Sequence, residues 1–180
     1  MAKLVGKRYA EALFEAGLEL NKLESFREDI ANVSSILKEE LELQKILNHP
    51  KISKTEKKDL LSSIFKGKVS EEILNFLYII VDKRREGSLI EISKEFEELF
   101  NEHNNILEVT AITAIDMNKK VKNKLTQVLS NKTNKTIKLN NIVDSDVIGG
   151  VLLRIENKII DGTIKGQLQS IEKTIKGATL

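Results

Sequence analysis

The chain has 180 residues, 41% hydrophobic and 31% charged, with a formal net charge of +2. That balance excludes a disordered chain, and the lack of cysteine excludes disulfides and thiolate metal sites. With 4% aromatics and no tryptophan, the core has to be built from Leu, Ile, Val and Ala, while a single proline suits a mostly helical chain.

The opening stretch MAKLVGKRYAEALFEAG carries scattered charges and no long apolar core, so it does not read as a signal peptide. In residues 3–20, Val5, Tyr9, Leu13, Ala16 and Leu20 recur at helical spacing. Ala10, Phe14 and Leu18 form a second stripe beside them, more apolar surface than one bundle contact requires. Residues 23–39 place Phe26, Ile30, Val33 and Leu37 on one face, and a short helix is expected at 41–47. Pro50 forces a break. Ser53 with Glu56 three residues on forms a capping box for a helix ending near Phe65, which Gly67 stops. Ser70 is expected to cap the next helix, with Ile73, Leu74, Leu77, Ile80 and Val81 inward and Asn75, Phe76 and Tyr78 elsewhere around it. Its run ILNFLYIIV (73–81) contains Asn75 and falls far short of the about 20 residues a bilayer span needs. Gly87 and Ser88 interrupt, and residues 89–103 show a last helical face of Leu89, Ile92, Phe96, Leu99 and Phe100.

After Asn105 the pattern changes. ILEVTAITAI (106–115) is rich in β-branched residues and reads as a strand. Residues 118–131 carry a helix face of Val121, Leu125, Val128 and Leu129, and TIKLNNI (136–142) reads as a second strand. Asp144-Ser145-Asp146 is turn chemistry. GGVLLRIEN reads as a third strand, Asn157-Lys158 as a hairpin turn, and Ile159-Ile160 as the start of the return strand. Asp161 is placed as N-cap of a final helix striped by Ile164, Leu168, Ile171 and Ile175. The fold class is therefore α+β: an N-terminal six-helix bundle over residues 1–105, then a small C-terminal α/β domain over 106–180 with a short mixed sheet and two helices.

Gly149-Gly150 invites a phosphate-loop reading, but a strand-like Val-Leu-Leu-Arg follows, with neither a Gly-Lys-Ser/Thr run nor a third glycine at dinucleotide spacing. A bend or close backbone approach at a strand entrance explains the pair better. His49 and His103 stand alone without ligand-spaced partners, so no metal site is expected. The acidic pairs Glu39-Glu40, Glu71-Glu72 and Glu97-Glu98 splay about 100° apart on helices and face water. Ser62-Ser63 has no base nearby in sequence, and no catalytic residue or cofactor is indicated. Basic residues outnumber acidic ones after residue 105, the reverse of the first part. The lysines are scattered and lack interleaved aromatics, which suits solvated lysines or an acidic protein partner better than the competing reading, a basic nucleic-acid-binding adaptor. The densest charge feature, DKRRE (82–86), reads equally as cations at a helix C-terminus and as a partner-facing patch.

Taken together, KRYAEALFEAG, NHPKIS…EKKDLL, NFLYIIVDKRREGSLIEISKEFEELF and DSDVIGGVLLRIENKIIDGTIKGQLQSI resemble the δ subunit of bacterial and chloroplast F-type ATP synthases, whose mitochondrial counterpart confers oligomycin sensitivity. The most specific piece is the C-terminal pattern met here as Gly149, Gly150, Asn157, Lys158, Ile160, Asp161, Thr163 and Ile164, with Asn157 where Asp is commoner. The resemblance implies a non-catalytic stator that joins the catalytic head to the b-subunit peripheral stalk and keeps the head from turning with the rotor, so that proton-driven rotation is coupled to ATP synthesis. It implies that the N-terminal bundle grips N-terminal helices of α subunits and that the C-terminal part docks the b subunits. It implies a peripheral subunit on the cytoplasmic face of the cell membrane, or the stromal face of a thylakoid, with no nucleic-acid partner. It also implies a groove between the first and fifth helices, where the candidate contacts are Tyr9, Ala10, Leu13, Phe14, Leu74, Leu77, Tyr78 and Val81. Within that set Leu13, Leu74 and Leu77 are expected in the bundle core, and Phe14 and Tyr78 at the interface.

Overall fold

The computed structural model describes residues 2–156 and 158–169, with side chains from residue 4 onward. The chain is mostly helical with one four-stranded mixed sheet. It divides into two compact units between Phe100 and Asn101.

The first unit contains α1 (Ala2–Glu19), α2 (Leu23–Glu39), α3 (Leu41–Asn48), α4 (Lys54–Phe65) and α5 (Glu71–Asp82). A 3-10 turn at Glu86–Ser88 then leads into α6 (Leu89–His103). Their inward stripes meet in one core in which Phe26, Phe65 and Phe96 are fully buried among Ile30, Leu47, Leu61, Ile73, Leu77, Ile80 and Ile92. Each such side chain contributes about 1.5–3 kcal/mol through burial. The inward stripe of α1 is small: Gly6 and Gly17 flank Ala10 and Leu13 on the same face. A Cβ on Gly6 would lie 2.9 Å from Glu91 Cγ, and one on Gly17 would lie 3.0 Å from Leu23. The small stripe therefore lets α1 lie close against α6 and the start of α2.

Polar contacts lock the helix ends. The capping box forms as expected: Ser53 Oγ accepts from the Glu56 N–H, and the Glu56 carboxylate accepts from the Ser53 N–H at 2.9 Å. Ser70 occupies the N-cap position of α5, but its hydroxyl caps nothing. It donates instead to Asp29 at 2.6 Å, as the Ser70 N–H does at 2.8 Å, tying α5 to α2. Phe76, placed away from the inward face by the sequence pattern, is 9% exposed because the core wraps further around α5 than one stripe.

The second unit holds β1 (Ile106–Thr113), α7 (Lys119–Thr133), β2 (Thr136–Val143), β3 (Val151–Ile155) and β4 (Lys158–Asp161). Helical residues 164–169 (α8) follow. The strand order is β2-β1-β3-β4. β2 runs parallel to β1 through the α7 crossover, while β3 pairs antiparallel with β1 and with β4. Leu107, Val109 and Ala111 of β1, Ile137 of β2, Leu153 of β3 and Leu129 of α7 form the core. Asn118 caps α7 by accepting from the Val121 N–H at 2.9 Å, and left-handed Asn134 ends it. Asn141 clamps one end of the sheet: its amide donates to Ala111 O at 3.0 Å and to Thr113 Oγ1 at 2.9 Å, while its carbonyl accepts from the Met117 N–H at 2.8 Å.

Candidate partner-binding site

The double glycine has a structural role. Gly150 sits at φ +85°, and a Cβ there would lie 2.3 Å from the Gly162 carbonyl oxygen and 2.9 Å from Thr163 Cα. Only glycine tolerates both. The close approach lets Ile164 N–H donate to Gly149 O, and Gly162 N–H to Val151 O, each at 3.0 Å. The entrance to β3 and the start of α8 are thereby laced together. The cap of α8 differs from the expected one. Thr163, 4% exposed, accepts from the Gly166 N–H at 3.0 Å and is the capping side chain. Asp161 stands two residues earlier and accepts from both the Thr163 N–H and hydroxyl, at 2.8 and 2.7 Å. The Thr163 hydroxyl and backbone N–H hold the Asp161 carboxyl below its usual range. The hairpin also shifts by one residue: Ile155 pairs with Lys158, so Lys158 opens β4, and Glu156 at φ +48° enters the turn. Asn157, Ile171 and Ile175 lie outside the described residues. Ile159 and Ile160 on β4, and Ile164 and Leu168 on α8, are exposed.

The groove residues separate into two kinds. Ala10, Leu13, Leu77 and Val81 are buried at 0–4% exposure in the core. They shape the helices but present no surface in this structure. Tyr9, Phe14, Leu74 and Tyr78 are half-buried at the rim, and they do not share one crevice. Tyr9 meets Phe76 of α5 edge-on, with ring centroids 6.5 Å apart. Phe14 lies on the other flank of α1 and meets Phe96 of α6 at 6.0 Å. Tyr78 turns toward α4, with the Lys58 ammonium 5.8 Å from its ring centroid, and Leu74 is one turn before it on the same flank. Tyr9 and Phe76 are therefore the side chains at which α1 and α5 meet. Ile79, one turn after Phe76, continues that flank and is 50% exposed. Lys22 bridges to Glu72 at 2.6 Å from the α1–α2 turn to the first turn of α5. Sequence periodicity missed Phe76 and Ile79 because a single inward stripe was assigned to α5. The signal available was that α5 is apolar nearly all round, as in ILNFLYIIV.

The DKRRE cluster is divided by its neighbours. Asp82 accepts from Lys58 at 2.7 Å, which holds its carboxyl below the usual range. Glu86 is buried in a 2.8 Å ion pair with Lys57. Arg84 and Arg85 remain exposed. Among the described residues no cluster of His, Cys, Asp and Glu is arranged to hold a metal ion, and no helix is long and apolar enough to cross a membrane.

Comparison with known proteins agrees with this architecture. A chain in the cryo-EM structure of the Toxoplasma gondii mitochondrial ATP synthase hexamer superposes with a TM-score of 0.75 at 19% identity, covering 94% of this chain and 96% of that one, and so shares the fold. ATP synthase subunit delta of Alkaliphilus metalliredigens is 44% identical over 172 residues, 96% of each chain. The Clostridioides difficile subunit of the same name is 39% identical over 176 residues, 97% of each. The family model described as ATP synthase delta (OSCP) subunit matches residues 5–175. With two glycines and a Thr163 cap joining strand to helix, and relatives matched over almost their whole length, the chain belongs to the ATP synthase delta (OSCP) subunit family.

Proposed function

We propose that this chain is the non-catalytic stator subunit of an F-type ATP synthase, holding the catalytic head to the peripheral stalk while rotation is coupled to ATP synthesis. Membership of the family over residues 5–175 carries this reading. The absence of a catalytic constellation in the sequence is consistent with it, and the nucleic-acid alternative gains no support from the family.

In this proposal α1–α6 act together as one six-helix bundle within a functional module spanning residues 1–105. The N-terminal helix of an α subunit lies in the crevice between α1 and α5. Tyr9, Phe76 and Ile79 supply its apolar border, a helix-in-groove contact. Phe14, Leu74 and Tyr78 act as secondary contacts or second faces, and Ala10, Leu13, Leu77 and Val81 support the floor from the core. Residues 106–180 dock the b-subunit stalk, with their excess of lysine and arginine suited to an acidic segment. Membrane association is peripheral, on the cytoplasmic or stromal face, and arises through the complex.

The test is titration calorimetry of the full chain against a catalytic head stripped of its own δ subunit, with RNA as control. One copy is expected to bind per head, saturably, and none to RNA. Ile79→Asp is expected to weaken head binding at least tenfold with unchanged circular dichroism. No binding to the head, or equal binding to RNA, refutes the reading. Normal affinity of a folded Ile79→Asp variant moves the α helix out of this crevice.

A further inference from the structure

A second surface of the first unit has no part in the proposed stator contacts. A cleft of about 540 Å³ opens where the loop before α4 faces the loop after α5. Five cations line it, Lys51, Lys54, Lys57, Arg84 and Arg85, and Glu86 is its single acid among the described residues. Two of the five have internal tasks. Lys54 donates to the Asp82 carbonyl at 2.7 Å, and Lys57 is paired with Glu86 at 2.8 Å on the floor. The carboxylate of Glu86 is thereby already neutralised. Lys51, Arg84 and Arg85 are exposed and form no ion pair among the described residues. The N-terminus of α4 also opens here, but Glu56 of its own capping box already occupies it, so the side chains are the donors on offer.

Arg84 is held at φ 54°, at the C-terminus of α5 where the Arg84 and Arg85 N–H groups close the last turn onto Val81 O and Ile80 O at 3.0 Å. Glycine is the residue that this left-handed position favours. An arginine placed there carries backbone strain and gains a cation on the cleft wall.

We propose that this cleft binds a carboxylate-rich polypeptide segment of a partner. Three unpaired cations around one opening complement clustered carboxylates, and guanidinium groups bind carboxylates in a bidentate fork. Pro50 and Ile52 give the wall apolar surface for a peptide backbone, and among the described residues no aromatic ring lines the cleft on which a nucleotide base would stack. The inference is independent of the α1/α5 crevice, which lies on other helix faces.

The experiment uses the full chain and a capped oligoglutamate peptide as probe, with binding followed by nuclear magnetic resonance shifts and fluorescence anisotropy at about 0.15 M salt. The wild-type chain is expected to bind one peptide saturably, with shifts confined to residues around Lys51, Ile52, Arg84 and Arg85. Arg84→Glu combined with Arg85→Glu is expected to weaken binding at least tenfold. Lys124→Glu combined with Lys132→Glu, an equal charge change in the second unit, is expected to leave it unchanged. Arg84→Gly is expected to raise the melting temperature while weakening the peptide several-fold, opposite signs that a purely structural Arg84 does not produce. The proposal is overturned if shifts spread over the whole surface, if both charge-reversed variants lose affinity equally, or if inorganic phosphate or ATP displaces the peptide at lower concentration than free glutamate peptide does.

Discussion

The buried pair of Lys57 and Glu86 offers the sharpest test of how the first unit is held together. Its ammonium and carboxylate lie 2.8 Å apart, with the two side chains 8% and 6% exposed. The pair joins α4 to the 3-10 turn that leads into α6. Lys57→Met leaves the Glu86 carboxylate buried without its cation, a change worth about 3–5 kcal/mol. A unit of this size has about 5–15 kcal/mol of total stability, so the variant loses a large part of it. The corresponding fall in melting temperature is about 15–30 °C. Lys57→Met combined with Glu86→Leu removes both charges and fills the space with apolar side chains, and its stability is expected within about 1–2 kcal/mol of the wild type. Urea titration followed by tyrosine fluorescence reads the first unit selectively, because Tyr9 and Tyr78 are the chain's two tyrosines and both lie in it. The reasoning fails if Lys57→Met costs less than about 1 kcal/mol, as an exposed pair would. It fails equally if the double variant is as unstable as the single one.

Gly150→Ala forces a Cβ against the Gly162 carbonyl at a positive φ, and is expected to cost at least about 2 kcal/mol and to uncouple α8 from β3, read as faster amide exchange at Ile164. Thr163→Ala removes the α8 cap and is expected to cost about 1 kcal/mol, measured by denaturant titration of the second unit. The Glu95 carboxylate has a buried oxygen with no hydrogen-bond partner among the described residues, so Glu95→Gln, which removes the charge, is expected to raise stability by about 1 kcal/mol in the tyrosine-detected transition. Hydrogen bonds hold Glu56, Glu72, Asp82 and Asp161 below the usual carboxylate range. Because their folded-state values are depressed, the unfolded chain binds more protons in that range. Their stabilisation is therefore complete above the unfolded values and lost as pH falls from about 5 through the folded ones. Ser53→Ala, which removes one partner of Glu56, is expected to flatten that acid limb slightly in melting curves taken across the range.

The residues of the C-terminal signature show how far local chemistry reaches. Paired glycines before an apolar run, and an Asp-x-Thr triplet after it, announced a strand entrance and a helix start. Which side chain capped the helix was settled only when Thr163 was buried against Gly150 and its neighbours, since both Asp161 and Thr163 have capping chemistry. Ser70 makes the same point from the other side. Its residue type and place before a helix predicted a cap, but Asp29, far away in the chain, competes for the hydroxyl with a charge-assisted bond.

Helix positions, the change from period 3.6 to strand patterning near residue 105, and the capping box at Ser53 were determined by the sequence itself, because neighbours within four residues decide them. Tertiary structure alone decided which apolar residues of α1 and α5 are core and which are surface. An amphipathic stripe says that a face is buried, but not how many neighbours wrap around it. Gly6 and Gly17 draw α1 in close. Phe76 thus becomes a buried wall facing Tyr9, Phe14 turns to α6, and Ile79 is left at the open edge. The partnering of DKRRE was likewise hidden, since five adjacent charges look alike in sequence until Lys57 and Lys58 of α4 select Glu86 and Asp82 and leave the two arginines to solvent.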